Sequence, residues 1–172
     1  MSFAFGHLIG AWLLGKLYEY KTKKQIPRYA WFLLLFGAIL PDADFLIDWT
    51  LGTEIHRTFT HSLLFVLLAP LILYLVLRAC KKEESIFYAL ALGVGIFSHL
   101  FLDFFSSQGV PILWPSLTNF AYNKIAYFDP ATPSFLYSSV EQMRSRLKFA
   151  VLDMALGTTW IFYLWWKKRI QL

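Results

Sequence analysis

Four histidines, His7, His56, His61 and His99, are the residues most able to do chemistry in a chain with 58% hydrophobic and only 16% charged residues. Two of them share the stretch His56-Arg57-Thr58-Phe59-Thr60-His61-Ser62, which runs straight into an apolar segment. A helix entering lipid needs a cap and a snorkelling cation, and neither job calls for two imidazoles. His99 and Asp103 are i and i+4, so on a helix they share a face and can grip one ion or two adjacent ones. They lie in the otherwise uncharged run IFSHLFLDFF, where an ionisable group is costly and marks function by default. A divalent cation offsets that cost, because carboxylates and neutral imidazoles are its natural ligands. Pro41-Asp42-Ala43-Asp44 places two carboxylates at i and i+2 behind a proline, which aims their oxygens in different directions. His56 and His61 are five apart and share a helical face poorly; they suit one loop ligand and one ligand at the first turn of the next helix.

Taken singly, each residue has an ordinary reading. His7 on an apolar helix is a packed histidine, Arg57 a headgroup anchor, and Asp42, Asp44 and Asp48 solvation of a helix end. Their convergence is what points to a site, and that depends on the elements carrying them. The 172 residues fit one domain, and the apolar excess is that of a membrane protein. Five apolar segments predict helices at about 3–18, 29–48, 59–79, 86–105 and 149–166, with an aromatic and proline-rich loop over 106–148. The expected fold is an all-α polytopic bundle of about five membrane-embedded helices, a single integral-membrane domain. Thr58 or Thr60 is the expected cap of the third helix.

The net charge of +5 comes from short basic clusters between the apolar runs, a pattern of membrane orientation and not of nucleic-acid binding. Eleven of the sixteen basic residues, from Lys16 to Arg28, Arg78 to Lys82 and Lys167 to Arg169, fall on one side. The positive-inside rule makes that side cytoplasmic and puts all four histidines and Asp42, Asp44, Asp48 and Asp103 towards the other. The single Cys80 excludes an internal disulfide and a cysteine zinc cage. No basic n-region or small-residue cleavage site marks a signal peptide.

The elements HLIG, LPDAD, HRTFTHS and HLFLDFFSSQGVPILWP, in this order over about residues 6 to 115, resemble those of the YdjM-type membrane-bound metal-dependent hydrolases, small inner-membrane proteins. That family has been compared with zinc-dependent phospholipase C, whose all-helical sites hold zinc with His and Asp. The resemblance implies metal roles for His7, Asp44, His61, His99 and Asp103, with His56 and Asp42 close by. The phospholipase pattern has a later histidine that this chain lacks after Asp103, which favours one or two ions, zinc or manganese.

The resulting expectation is a hydrolase of a phosphoester or ester bond in a lipid-like substrate, at the extracytoplasmic face of the inner membrane. Asp42 is the expected general base, and Arg57 the two-pronged donor to an anionic substrate oxygen. The aromatic loop from Val110 to Tyr137, Trp114 included, is the expected lid or trough. Membrane lipid is the expected partner. The competing classes are a non-catalytic membrane protein with a structural or transported metal, and a partner-binding protein. A transporter would carry polar groups through the cytoplasmic half of its helices, which is apolar here.

Overall fold

Pro41, Gly52 and Ser62 break the chain between the second and fourth helices, and those breaks bring the histidines to one end of the bundle. The computed structural model describes residues 4–53, 55–106, 109–116, 118–122, 124–127 and 140–167. In chain order these form α1 (Ala4–Thr22), α2 (Arg28–Gly37), a 3-10 turn at Pro41–Ala43, α3 (Asp44–Leu51), a second 3-10 turn at Phe59–His61, α4 (Leu63–Ala79) and α5 (Ser85–Phe104). An antiparallel hairpin, β1 (Thr118–Ala121) and β2 (Lys124–Tyr127), and α6 (Val140–Trp166) follow.

The fold is helical as expected, but its boundaries differ in instructive places. Among the described residues, two stretches, Ser85–Phe104 and Leu147–Trp166, are long and apolar enough to cross a membrane, or three if the bent pair Arg28–Gly37 and Pro41–Leu51 is one span. About five were expected. α1 carries Lys16, Glu19 and Lys21 in its second half, and α4 has 17 residues. α4 is short because Ser62, not Thr58 or Thr60, caps it: in extended backbone its hydroxyl accepts from the Phe65 N–H at 3.3 Å. The second segment is not continuous either. Pro41 has no N–H with which to continue a helix, and α3 leaves α2 at 57°. α6 starts nine residues before the expected Phe149, in the charged run VEQMRSRLK that an apolar search passes over. The expected loop is shortened by that helix and by the hairpin; its residues 128–139 lie outside the described ones.

α5 is the central helix, packed against α1, α2 and α4. Two buried clusters line it: Ala11, Leu34 and Ala38 on the α1/α2 side, and Leu92, Ile96 and Leu100 facing Phe65, Val66 and Ala69 of α4. At the α2–α5 crossing the backbones nearly touch. A Cβ on Gly95 would lie 2.2 Å from the Leu34 carbonyl oxygen, and one on Gly37 would lie 2.5 Å from that of Leu92. Such small-residue contacts are how helices approach closely in lipid, where hydrophobicity does not drive them together.

α6 is joined to α1 at the start of that helix. The Phe5 and Gly6 N–H groups donate to the Asp153 carboxylate at 3.2 and 2.7 Å, so an acid from α6 caps α1 one residue before His7. Gly157 leaves room there for the Phe5 ring. At the other end of α1, Glu19 accepts from Lys16, the Ile26 N–H and the Trp31 indole, which closes the α1–α2 turn.

Candidate metal centre

α5 supplies the first two residues of the site. His99 and Asp103 share one face, as their i, i+4 spacing requires, and both are buried. The Gly37/Gly95 contact brings the Ala38 carbonyl within 2.8 Å of His99 Nδ1, so that nitrogen donates and Nε2 is left with its lone pair. α1 adds His7, whose ring stacks on His99 with centroids 3.8 Å apart and whose Nε2 lies 3.6 Å from Asp103 Oδ1.

The second set comes from the 3-10 turns and the loop between them. Asp48 builds that loop by accepting from the Thr53 hydroxyl and the Ile55 and His56 N–H groups, each at 2.8 Å. Asp44, also buried, then fixes two imidazoles. Its Oδ1 lies 2.7 Å from His56 Nδ1, and its Oδ2 accepts from the Thr60 hydroxyl at 2.5 Å. With its proton given to Asp44, Thr60 Oγ1 accepts from His61 Nδ1 at 3.1 Å. Nε2 of His61 therefore also carries a lone pair. Burial pushes the His61 pKa below its ordinary value, against the opposing pull of the Asp42 carboxylate.

These lone pairs converge. His61 Nε2 and His99 Nε2 are 3.2 Å apart, and Asp42 Oδ1 lies 3.4 and 3.5 Å from them. Asp103 Oδ2 is 3.7 and 3.8 Å from the same two nitrogens. Two triads, His7/His99/Asp103 and Asp42/His56/His61, each offer ligand atoms within 4.8 Å of one another. Neutral imidazole lone pairs and carboxylate oxygens repel at this range, and a divalent cation is the group that removes the conflict, so the donor set fits one.

Every site residue singled out in the sequence lies at this end of the bundle, but four stand differently from expectation. Asp44 sits behind His56 and His61, orienting them, while Asp42 is the carboxylate at the imidazole Nε2 atoms. The reason is the 3-10 turn at Pro41–Ala43, which turns two acids at i and i+2 to different neighbours. Arg57 is not an open two-pronged donor. Its Nη2 donates to Asp103 Oδ2 at 2.8 Å and its Nη1 to the Gly109 carbonyl at 2.9 Å and Ser106 Oγ at 3.2 Å. Only Nε lacks a partner among the described residues. Arg57 holds this pose at φ +62°, a left-handed conformation rare outside glycine. Trp114 packs edge-on against Phe59, 5.2 Å between centroids, and so braces the turn carrying His61. The Ala38 and Gly109 carbonyls were not read from the sequence, because backbone acceptors leave no mark in it, and Ser106 is one hydroxyl residue in a loop rich in them. Asp153 did leave a mark, as the sole charged residue between Phe149 and Trp166 of α6.

A family model described as YdjM inner membrane protein matches residues 1–170. The chain is 36% identical over 99 residues to the inner membrane protein YbcI of Escherichia coli (strain K12), covering 54% of this chain and 57% of that protein. It is 39% identical over 61 residues to the uncharacterized protein YvsG of Bacillus subtilis (strain 168), covering 36% of this chain and 34% of that one. The matches thus span from about a third to somewhat over half of these relatives' lengths. No solved structure matches the chain.

Proposed function

Because the chain belongs to the YdjM family of inner membrane proteins, we propose that it is a membrane-embedded metal-dependent hydrolase. Its substrate would be a phosphoester or ester of a lipid-like molecule, cleaved at the extracytoplasmic face. One observation carries this reading: buried Nε2 lone pairs and carboxylate oxygens are gathered within 4 Å, with each histidine's orientation traceable to a named partner. His7, Asp42, His56, His61, His99 and Asp103 would hold one or two ions of zinc or manganese, and Asp44 and Thr60 would orient the rings behind them. When bound, such an ion supplies Lewis acidity to the scissile group.

The chain's own residues supply the rest. Asp42 is a quarter exposed (26%) where the other carboxylates of the cluster are buried, so one side of the site stays open. A purely structural site would be closed, whereas a catalytic one keeps a position for water or substrate. Asp42 turns Oδ1 towards the imidazoles, and its other oxygen is the proton acceptor in this reading. Arg57 holds Asp103 in place and neutralises part of its charge.

Two expected results test the proposal. Protein purified in detergent is expected to retain one or two zinc or manganese ions per chain by elemental analysis. His99→Ala or Asp103→Ala is expected to weaken metal binding by about 10-fold or more. Unchanged metal content in both variants would sink the centre, and metal-replete protein inert towards a panel of phosphodiesters and lipid esters would sink the hydrolase. The second result concerns topology: a reporter fused after Leu172 should read cytoplasm, and one inserted at Thr118 should read the opposite side. The reversed pattern would move the site to the cytoplasmic face.

A further inference from the structure

α3 stands away from the bundle. It leaves α2 at 57°, and its main packing partner is the 3-10 turn at its own root. Its two acids face the site: Asp44 is buried against His56 and Thr60, and Asp48 gathers the loop amides. The opposite side is apolar and bare, with Leu46 and Trp49 exposed, Trp49 at 86%, and Ile47 exposed on its flank. Eight residues reach about 12 Å, far short of the roughly 30 Å hydrocarbon core, so α3 cannot span a bilayer by itself.

The surface on which it borders names its occupant. α3 continues the chain of α2, whose Phe32 and Phe36 are likewise bare, in a protein of an inner-membrane family. A short helix with an acid-bearing face, an apolar face and a tryptophan near its end is built to lie in the membrane interface. The cluster also opens at this helix. The side chains of His7, His61, His99, Asp44 and Asp103 are 0–2% exposed, whereas those of Asp42 and His56 reach 26% and 13%. Asp42 belongs to the turn at the root of α3, and His56 is stacked at 3.5 Å on Phe45 of α3 itself.

We propose that α3 lies in the membrane interface on the side of the site and forms the threshold over which a bilayer-resident lipid, taken directly from that leaflet, reaches the His/Asp cluster. The location of α3 stands on its own; the choice of a lipid substrate over a water-soluble ester rests on the hydrolase reading. The threshold binds the acyl part of the lipid through Leu46 and Trp49, while its ester, at headgroup depth, faces Asp42.

Two measurements on the full chain in nanodiscs test this. In a Cys80→Ser background, a spin label at Trp49→Cys should be more accessible to oxygen than to a water-soluble nickel chelate, with the reverse at Lys81→Cys in the exposed loop. A label at position 49 as open to the chelate as the one at 81 overturns the interfacial placement. Second, Leu46→Ser/Trp49→Ser should lower hydrolysis of phosphatidylethanolamine–phosphatidylglycerol vesicles by roughly 10-fold or more, through lost binding of the remote acyl part. Its metal content and its turnover of bis-(p-nitrophenyl) phosphate should be unchanged. Equal loss on both substrates, or a wild type that cleaves only the soluble one, overturns the threshold. A wild type that cleaves neither removes the hydrolase and the lipid arm together, and the spin-label result still decides where α3 lies.

Discussion

Gly95→Leu is expected to lower the stability of the protein by about 3 kcal/mol or more and to abolish binding of the proposed metal, although no residue of the cluster is touched. The added Cβ would stand 2.2 Å from the Leu34 carbonyl oxygen and 3.0 Å from the Ala38 nitrogen and the Gly37 Cα. All three are backbone atoms and cannot rotate aside, so α5 must withdraw from α2. His99 lies one turn further along α5, and its 2.8 Å bond to the Ala38 carbonyl spans that same crossing. Separation frees the imidazole to rotate, and its Nε2 leaves the cluster. A loss of that size corresponds to a fall in melting temperature of about 6–12 °C for a chain of this length. Gly93→Ala serves as a control, because its Cβ would meet the Pro70 ring at 3.0 Å, a side chain on the α4 side that has some room to shift. A Gly95→Leu protein that melts with wild type and keeps its metal would show that the crossing does not position His99.

Arg57→Met should cost about 3–5 kcal/mol, the range for stranding one partner of a buried ion pair. Arg57 and Asp103 are both almost wholly buried, and the methionine leaves the carboxylate without its 2.8 Å partner and the Gly109 carbonyl without its donor. Metal should restore part of the loss, since a cation at the cluster also compensates Asp103. The stabilisation gained on adding zinc is therefore expected to be larger in the variant than in wild type, read as the melting-temperature shift with and without zinc. Arg57→Lys should fall between the two, because a lysine keeps the charge but cannot reach Asp103, Gly109 and Ser106 with a planar fork. If both variants melted like wild type, the pair would be adding nothing to the fold.

Periodicity made part of this site readable in advance. His99 and Asp103 lie in a long apolar helix, where i, i+4 spacing translates directly into a shared face, and His7 and His61 follow from lying at the same ends of their segments. Where the backbone leaves the α-helix, spacing loses that meaning. Asp44 stands behind the rings and Asp42 at their Nε2 atoms because a 3-10 turn directs the two acids to different neighbours. Arg57 looked like a free cation because its partners come from residues 46 to 52 positions away. The start of α6 leaves no apolar mark in the sequence, because its first turns are charged. Ser62 displaced the two threonines as cap because the turn ending at His61 delays the helix by a few residues.

The bond between Asp153 and the first turn of α1 also carries a consequence in time. Phe5 and Asp153 are 148 residues apart, so the helix made first receives its cap from the helix made last among those described. At about 5–20 residues per second, a ribosome needs roughly 7–30 s to bridge that interval. During it α2, α4 and α5 can assemble with His61, His99 and Asp103 already in register, while the start of α1, and His7 with it, still lacks its anchor. Translation thus leaves a nascent chain with the His7 side of its His/Asp cluster unsecured until α6 arrives.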